Sequence, residues 1–372
     1  MADATIPQLT GERVRLRALT EDDLPAIVEQ SSDAEAIAWT TVPSPYGLDD
    51  ARYYLGLAHS GWSTRTENLI WAIEEIGAEG GEPGLRYAGT IDLRPGSSSA
   101  HAWELGFSLH PAARGRGLMS DAVRVACRWA FDEGAPSMYW YANRGNWASR
   151  RVAWACGFTM HGLMPAKIAA RGGPADCWAG SLLPGQPMRA STPWYEPPVL
   201  DDETIRLRPL RDEDASAAEE VDDPAHWIPE GSSLTPERFP GFVMRRQEAA
   251  ASGLGVSWCI ADRASDRPLG EIGIFLRAVG TDAAELGYQI LPSARGRGVA
   301  SRAARLVVDY VTRSVADGGL GFRRLVAETA ADNEASNAVL RRSSFKVYGR
   351  EHAVDPLPDG SYGDGLHWER PT

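Results

Sequence analysis

Trp103-Glu104-Leu105-Gly106-Phe107-Ser108-Leu109-His110-Pro111 runs into Arg114-Gly115-Arg116-Gly117. The pattern returns 181 positions later, where Ala284-Glu285-Leu286-Gly287-Tyr288-Gln289-Ile290-Leu291-Pro292 runs into Arg295-Gly296-Arg297-Gly298. The Glu, Leu, Gly, aromatic and Pro positions coincide, and so do all four loop residues. Working outward, Arg13-Val14-Arg15-Leu16-Arg17 matches Thr204-Ile205-Arg206-Leu207-Arg208. Each is followed by an acidic cluster, Glu21-Asp22-Asp23 or Asp212-Glu213-Asp214. Downstream, Asn146-Trp147-Ala148-Ser149 with Phe158 matches Asn333-Glu334-Ala335-Ser336 with Phe345. The offset drifts only from 191 through 181 to 187, so the halves differ by loop-sized insertions. A period of this length means two whole domains rather than a solenoid.

The 372 residues suit two domains of ordinary size, each able to bury a core. Hydrophobic and charged fractions of 43% and 24% are those of soluble globular proteins. No apolar run approaches the roughly 18 residues of a membrane span, and the polar start Met1-Ala2-Asp3-Ala4-Thr5 lacks signal-peptide character. Cys127, Cys156, Cys177 and Cys259 lie far apart with no C-x-x-C pair, which predicts reduced thiols and a cytoplasmic protein. The seven histidines form no metal-ligand spacing, so no metal is expected. A net charge of −12 argues against nucleic acid, whose binding rests on phosphate neutralisation. From Pro184 to Pro198 the chain is proline-rich and suits neither a helix interior nor a central strand. The predicted organisation is domain 1–187, an extended linker 188–198 and domain 199–372, with Trp194 and Tyr195 pinning the linker to one domain.

Each half opens on an alternating strand and a helical segment that starts at the acidic cluster, where negative charge suits a helix N-terminus. Hairpin-like runs follow at Leu69–Ile76 and Tyr87–Leu93, and at Val256–Ala261 and Leu269–Leu276. Beyond the Arg-Gly loop, Val123, Ala126, Cys127, Ala130 and Phe131 recur at helical spacing, as do Ala304, Val307, Val308 and Val311. A further strand, Ser137–Ala142 or Arg324–Thr329, leads to the Asn-x-x-Ser segment and another helix. An antiparallel beginning followed by alternating strands and helices predicts an α/β (α+β) domain. It is a mixed, mostly antiparallel twisted sheet with helices on both faces.

The loop glycines let the backbone turn tightly and let a ligand approach the main chain. The helix start behind them offers N–H groups and a dipole suited to an anion, and the four arginines suit phosphates. The loop is not G-x-x-x-x-G-K-[ST] and lacks the third glycine of the dinucleotide fingerprint, which disfavours nucleotide hydrolysis and dinucleotide binding. A lone copy would read equally well as a surface turn with solvated arginines. Repetition between matching elements favours the anion site.

Position by position, this loop resembles the acetyl-coenzyme A pyrophosphate loop of the GNAT acetyltransferase superfamily, [Q/R]-x-x-G-x-[G/A]. Arg295-Gly296-Arg297-Gly298-Val299-Ala300 fits throughout, whereas Arg114-Gly115-Arg116-Gly117-Leu118-Met119 ends in Met. The opening Arg-Leu-Arg strand, the Glu-Leu-Gly-aromatic strand and the Asn-x-x-Ser element look more narrowly like the RimJ/RimL (ribosomal-protein alanine N-acetyltransferase) branch. The resemblance covers most of both halves, leaving out mainly the linker and the C-terminal tail. It implies two tandem GNAT-like domains that bind acetyl-CoA through these loops. It further implies acetyl transfer to a primary amine, a small molecule or a peptide or protein N-terminus, by direct attack in a ternary complex. The halves would be able to pack as a pseudo-dimer, with no membrane or nucleic-acid partner. A second reading makes one or both halves non-catalytic acyl-CoA-binding modules with a regulatory or structural role.

Glu104 and Glu285 share a strand face with Gly106 and Gly287, two positions on. A carboxylate beside that vacated space, shortly before an anion loop, is placed to take a proton from an amine. The resemblance gives this glutamate the role of general base; the alternative is a solvated edge carboxylate. Ser149 and Ser336 are candidates for protonating the departing thiolate, because the helix positions where many relatives carry tyrosine hold Ala153 and Leu340. By resemblance, Asn146 and Asn333 hold the pantetheine arm. Local helix capping is the alternative for these Asn and Ser residues.

Overall fold

The computed structural model describes residues 6–65, 67–77, 84–98, 100–219, 223, 227, 235–276, 278–357 and 359–371. It divides into two units, Met1–Ser191 and Thr192–Thr372. In the first, β1 (Leu9–Thr10) and β2 (Val14–Arg17) precede α1 (Leu24–Ser32), α2 (Ala34–Trp39) and α3 (Leu48–Thr64). Then come β3 (Leu69–Glu75), β4 (Gly89–Arg94), β5 (Trp103–Leu109), α4 (Leu118–Asp132), β6 (Met138–Asn143), α5 (Trp147–Ala155), β7 (Thr159–Ala170) and β8 (Gly173–Leu182). The strands form one sheet in the order β1-β2-β3-β4-β5-β6-β8-β7.

The second unit repeats the plan with β9 (Leu200–Asp201), β10 (Ile205–Arg208), α6 (Phe239–Ala251), β11 (Gly255–Asp262), β12 (Pro268–Phe275) and β13 (Ala283–Ile290). It ends with α7 (Val299–Thr312), β14 (Arg324–Ala330), α8 (Glu334–Arg342), β15 (Lys346–Pro356) and β16 (Tyr362–Pro371), in the strand order β9-β10-β11-β12-β13-β14-β16-β15. Within each sheet every pairing is antiparallel except β5 with β6 and β13 with β14. Each unit is therefore the mixed, mostly antiparallel sheet that the alternation of elements predicts, with helices on both faces. Ile70 and Ala72 of β3 pack under α1 and α3. Ala303, Ala304, Val307, Val308 and Val311 of α7 pack on the sheet of the second unit. Among the described residues, no helix is long and apolar enough to cross a membrane.

Two features differ from the sequence reading. The acidic clusters do not simply head a helix: each forms a short 3-10 turn whose third acid is buried. Asp23 takes two hydrogen bonds of 2.8 Å from the Arg17 guanidinium, and Asp214 takes bonds of 2.9 and 2.8 Å from Arg208. The last arginine of the opening strand is thus locked to the turn that follows it. Second, the C-terminal tail belongs to the sheet. β16 pairs along β14 from Arg324 to Ala330, and Trp368 is fully buried with its Nε1 donating to Thr329 Oγ1 at 2.8 Å. The exposed, non-alternating residues of β7 and β15 gave no strand signal, because these are long edge strands held by their hairpin partners.

The proline-rich stretch is held at both ends. Met188 O accepts from Arg124 Nε at 2.9 Å in the first unit. In the second, Tyr195 N donates to Ala250 O at 3.0 Å and Trp258 Nε1 donates to Pro198 O at 2.8 Å.

Candidate active site

The site begins where the sheet comes apart. β13 and β14 pair in register for only three residues, Ala283–Glu285 against Arg324–Val326. β5 and β6 do the same over Trp103–Leu105 and Met138–Trp140. Beyond Glu285 and beyond Leu105 the parallel ladder stops, so the facing strand edges carry backbone groups without ladder partners. In the second unit a cavity of about 670 Å³ opens there. Glu285, Arg295, Gly296, Gly298, Val299, Ala300, Asn333 and Ser336 all line it, and Arg297 does not.

The Arg-Gly loop takes the predicted shape in both units. Gly115 and Gly117 have φ of 73° and 76°, and Gly296 and Gly298 have 71° and 74°, a left-handed conformation that a Cβ would strain. Gly117 and Gly298 are the N-caps of α4 and α7, and neither helix start has a side-chain cap. Bare amides and the helix dipole suit an anion. Three of the arginines are already engaged with carboxylates. Arg295 forks onto Asp223 at 2.7 and 2.6 Å, Arg114 pairs with Asp33, and Arg116 pairs with Glu75. Arg297 is exposed. The loop thus offers an anion its backbone amides rather than a ring of free arginines. Met119 is buried at 2% exposure, so its side chain packs inward and leaves only its amide at the loop, whereas Ala300 lies at the cavity wall.

The two glutamates face different surroundings. The space beside each is not open, contrary to the sequence reading. A Cβ on Gly106 would meet the side chains of Asp92 and Arg94, and one on Gly287 would meet the Phe275 ring at 3.0 Å. The neighbouring strand fills the gap in both cases, because Asp92 pairs across from Gly106 and Phe275 leans over from its place opposite Glu285. Consequently Glu104 is ion-paired with Arg94, which also contacts Asp92 at 3.0 Å. Burial pushes the Asp92 carboxyl up, and the Arg94 charge opposes the shift. Glu285 borders the cavity, and the residue opposite it in the ladder is Phe275 where Glu104 has Arg94.

Asn146 and Asn333 are N-caps, accepting from Ser149 N at 3.1 Å and Ser336 N at 3.0 Å. The capping alternative therefore falls to the asparagines, and the serine hydroxyls are used elsewhere. Ser149 Oγ accepts from Trp140 Nε1 at 3.0 Å, while Ser336 Oγ is 2.8 Å from the Tyr288 hydroxyl. Tyr288 lines the cavity, and burial pushes its phenol up to about 12 despite the Ser336 contact. Sequence reasoning passed over it by looking for a tyrosine only in the helix. The signal was the single hydroxyl that separates Tyr288 from Phe107 in the duplicated motif. Arg246 and Glu271, also at the cavity, were missed because neither belongs to the repeated pattern. Among the aromatics before β11, Phe239 and Phe242 are buried together, whereas Trp227 borders the cavity.

Comparison with known proteins agrees with the duplication. The family model described as acetyltransferase (GNAT) domain matches residues 13–159 and again 204–346. The uncharacterised N-acetyltransferase YoaA of Bacillus subtilis is 28% identical over 155 residues, which is 41% of this chain and 85% of that protein. A GNAT-family acetyltransferase from Bacillus anthracis is 19% identical, covering 47% of this chain and 98% of its own with a TM-score of 0.40. The ribosomal-protein-S5-alanine acetyltransferase of Vibrio fischeri is 17% identical, covering 47% and 97% with a TM-score of 0.37.

Proposed function

The chain belongs to the GNAT acetyltransferase family, an acetyl-CoA-dependent acyltransferase family, and from that premise we propose that its second unit transfers an acetyl group from acetyl-CoA to a primary amine by direct attack in a ternary complex. The observation that carries this reading is one cavity in which Glu285, the Tyr288–Ser336 hydroxyl pair and the uncapped start of α7 meet. These surroundings fit the cosubstrate. The α7 amides suit its pyrophosphate, and the unladdered edges of β13 and β14 suit the amide groups of its pantetheine arm.

Glu285 accepts the proton of the attacking amine, and the amine nitrogen forms its bond to the thioester carbon. An α-amine, with an ordinary pKa near ~8, asks less of this base than a lysine near ~10.4. The carbon–sulfur bond then breaks, the coenzyme leaves as a thiolate that accepts a hydrogen bond from the Ser336 hydroxyl, which Tyr288 holds in place, and the proton on Glu285 passes to solvent. Binding both substrates together supplies orientation that a bimolecular encounter in water lacks.

The first unit supports a different role. Its Glu104 is ion-paired with Arg94, which occupies the carboxylate with another partner, yet its loop keeps the same backbone shape. We assign it acetyl-CoA binding without turnover. Glu285→Gln is expected to lower kcat roughly 10²-fold or more in a thiol-release assay over an amine panel, with little change in acetyl-CoA affinity. An unaltered kcat would remove Glu285 as the base.

A further inference from the structure

Arg246 reaches the cavity from α6, and its guanidinium is fixed on three sides. Its Cζ lies 4.7 Å from the centroid of the Phe242 ring and 4.5 Å from that of Phe275, and its Nε is 3.0 Å from Glu271 Oε1. Among the described residues, no hydrogen bond engages its two terminal nitrogens. Beside it, Gln289 is the cross-strand partner of Glu271 and borders the same cavity, and its buried Nε2 has no acceptor. The wall thus presents a guanidinium fork and an amide donor beside the Glu271 carboxylate, whose Oε1 satisfies neither of them.

An ordinary structural ion pair accounts for this poorly. Arg246 Nε and Glu271 Oε1 are 3.0 Å apart but too poorly aligned to satisfy either buried atom, and burial pushes the Glu271 carboxyl up against the pull of the Arg246 charge and the Ser257 hydroxyl. A buried pair with unsatisfied atoms is a cost to the fold rather than a support. Nor does the fold require it. The first unit has Thr90 where the second has Glu271, Ser108 for Gln289 and Arg94 for Phe275, in the same strand register. The charged cluster is a property of this unit's cavity.

We propose that Arg246, with Gln289, binds a carboxylate on the acceptor, so that the substrate of the second unit is an amine carrying a carboxylate a few bonds from the reacting nitrogen. This rests on the acetyltransferase reading above. A carboxylate accepts two parallel bonds from a guanidinium fork, a geometry that neither an ammonium nor an alkyl chain can use. The Phe275 ring sets the spacing. Arg246 lies on its face, and Glu285 stands opposite it in the ladder. One zwitterionic molecule therefore spans the site, with its amine at Glu285 and its carboxylate at Arg246. Glu271 lies at the Nε of the guanidinium, which leaves the two terminal nitrogens to a bidentate acceptor.

The test uses the full chain, a thiol-release assay and three matched sets of acceptors: L-amino acids, their α-carboxamides and the corresponding decarboxylated amines. The expected result is a kcat/KM for the amino acids at least roughly tenfold above both other sets. The preference should collapse in Arg246→Lys, which keeps the charge and loses the fork. Calorimetric titration with acetyl-CoA should give the wild-type affinity in that variant, which separates a lost fork from a lost fold. Glu271→Gln, isosteric and still able to accept from Arg246, should retain the preference. Equal use of amino acids and decarboxylated amines, or an undiminished preference in Arg246→Lys, overturns the carboxylate site and leaves acetyl transfer standing. Equal use of the carboxamides shows that a carbonyl suffices and overturns the requirement for charge. Release of no thiol with any amine removes the acetyltransferase reading itself.

Discussion

At the scale of single residues, the clearest difference between the halves is one oxygen atom. Tyr288 puts a hydroxyl 2.8 Å from Ser336 Oγ, where the first unit has Phe107 and its serine takes a bond from Trp140 instead. A phenol pushed up to about 12 stays protonated throughout the neutral range, so it orients Ser336 without titrating. Tyr288→Phe is expected to lower kcat about tenfold, less than Ser336→Ala, with no new inflection in the pH–rate profile below pH 10. Rate measurements from pH 6 to 10 on both variants check this. A larger loss in Tyr288→Phe than in Ser336→Ala would make the phenol the donor itself.

At the scale of elements, the Arg17–Asp23 lock joins β2 to the turn before α1. Burial pushes Asp23 up, but the Arg17 fork and the Thr20 backbone bond outweigh it and hold the carboxyl below its ordinary range. A depressed carboxyl stabilises the fold fully above the unfolded-state pKa of about 3.9, and that contribution fades as pH falls through the folded value. Asp23→Asn should therefore cost about 3 kcal/mol at pH 7, a value at the low end because Glu74 still holds Arg17, and the cost should shrink in acid. Urea unfolding at pH 7 and pH 3 measures both. An equal cost at the two values would show that shape, not charge, is what the lock supplies.

The sequence made some of these elements plain and hid others. Strands covered on both faces read as short, nearly continuous apolar runs, so β3, β4, β11 and β12 could be read to within a residue or two. Two glycines a residue apart between a strand and a helix mark a tight turn, and all four do adopt φ near 75°, so the loops were legible as well. β7 and β15 carry mostly exposed side chains and are held by pairing alone, which leaves no periodic trace. The occupant of the space beside each glutamate was equally hidden, because Arg94 and Phe275 arrive from a different strand. Face alternation identifies which side chains share a surface, but not which neighbour leans across it.

For the whole molecule, duplication supplied two loops and two wedges but unlike neighbours for the strand glutamate, the Arg94 guanidinium at Glu104 and the Phe275 ring opposite Glu285. Both uncapped helix starts are intact, so two molecules of acetyl-CoA are expected to bind per chain while one centre turns over. Calorimetry reads the first number, and Glu104→Gln, expected to keep most of the wild-type rate, reads the second. A single binding site, or a collapse of rate in Glu104→Gln, would contradict this division of labour.

The three-residue parallel seam carries a mechanical consequence. Each eight-stranded sheet is two half-sheets stitched at one short point, and the stitch lies beside the glutamate. A molecule bound in the wedge as proposed would bond to both flanks and cross-brace them. The enclosure around the reacting groups is then expected to be stiffer with its cargo aboard than without it, a property that needs no lid and comes from an unfinished ladder.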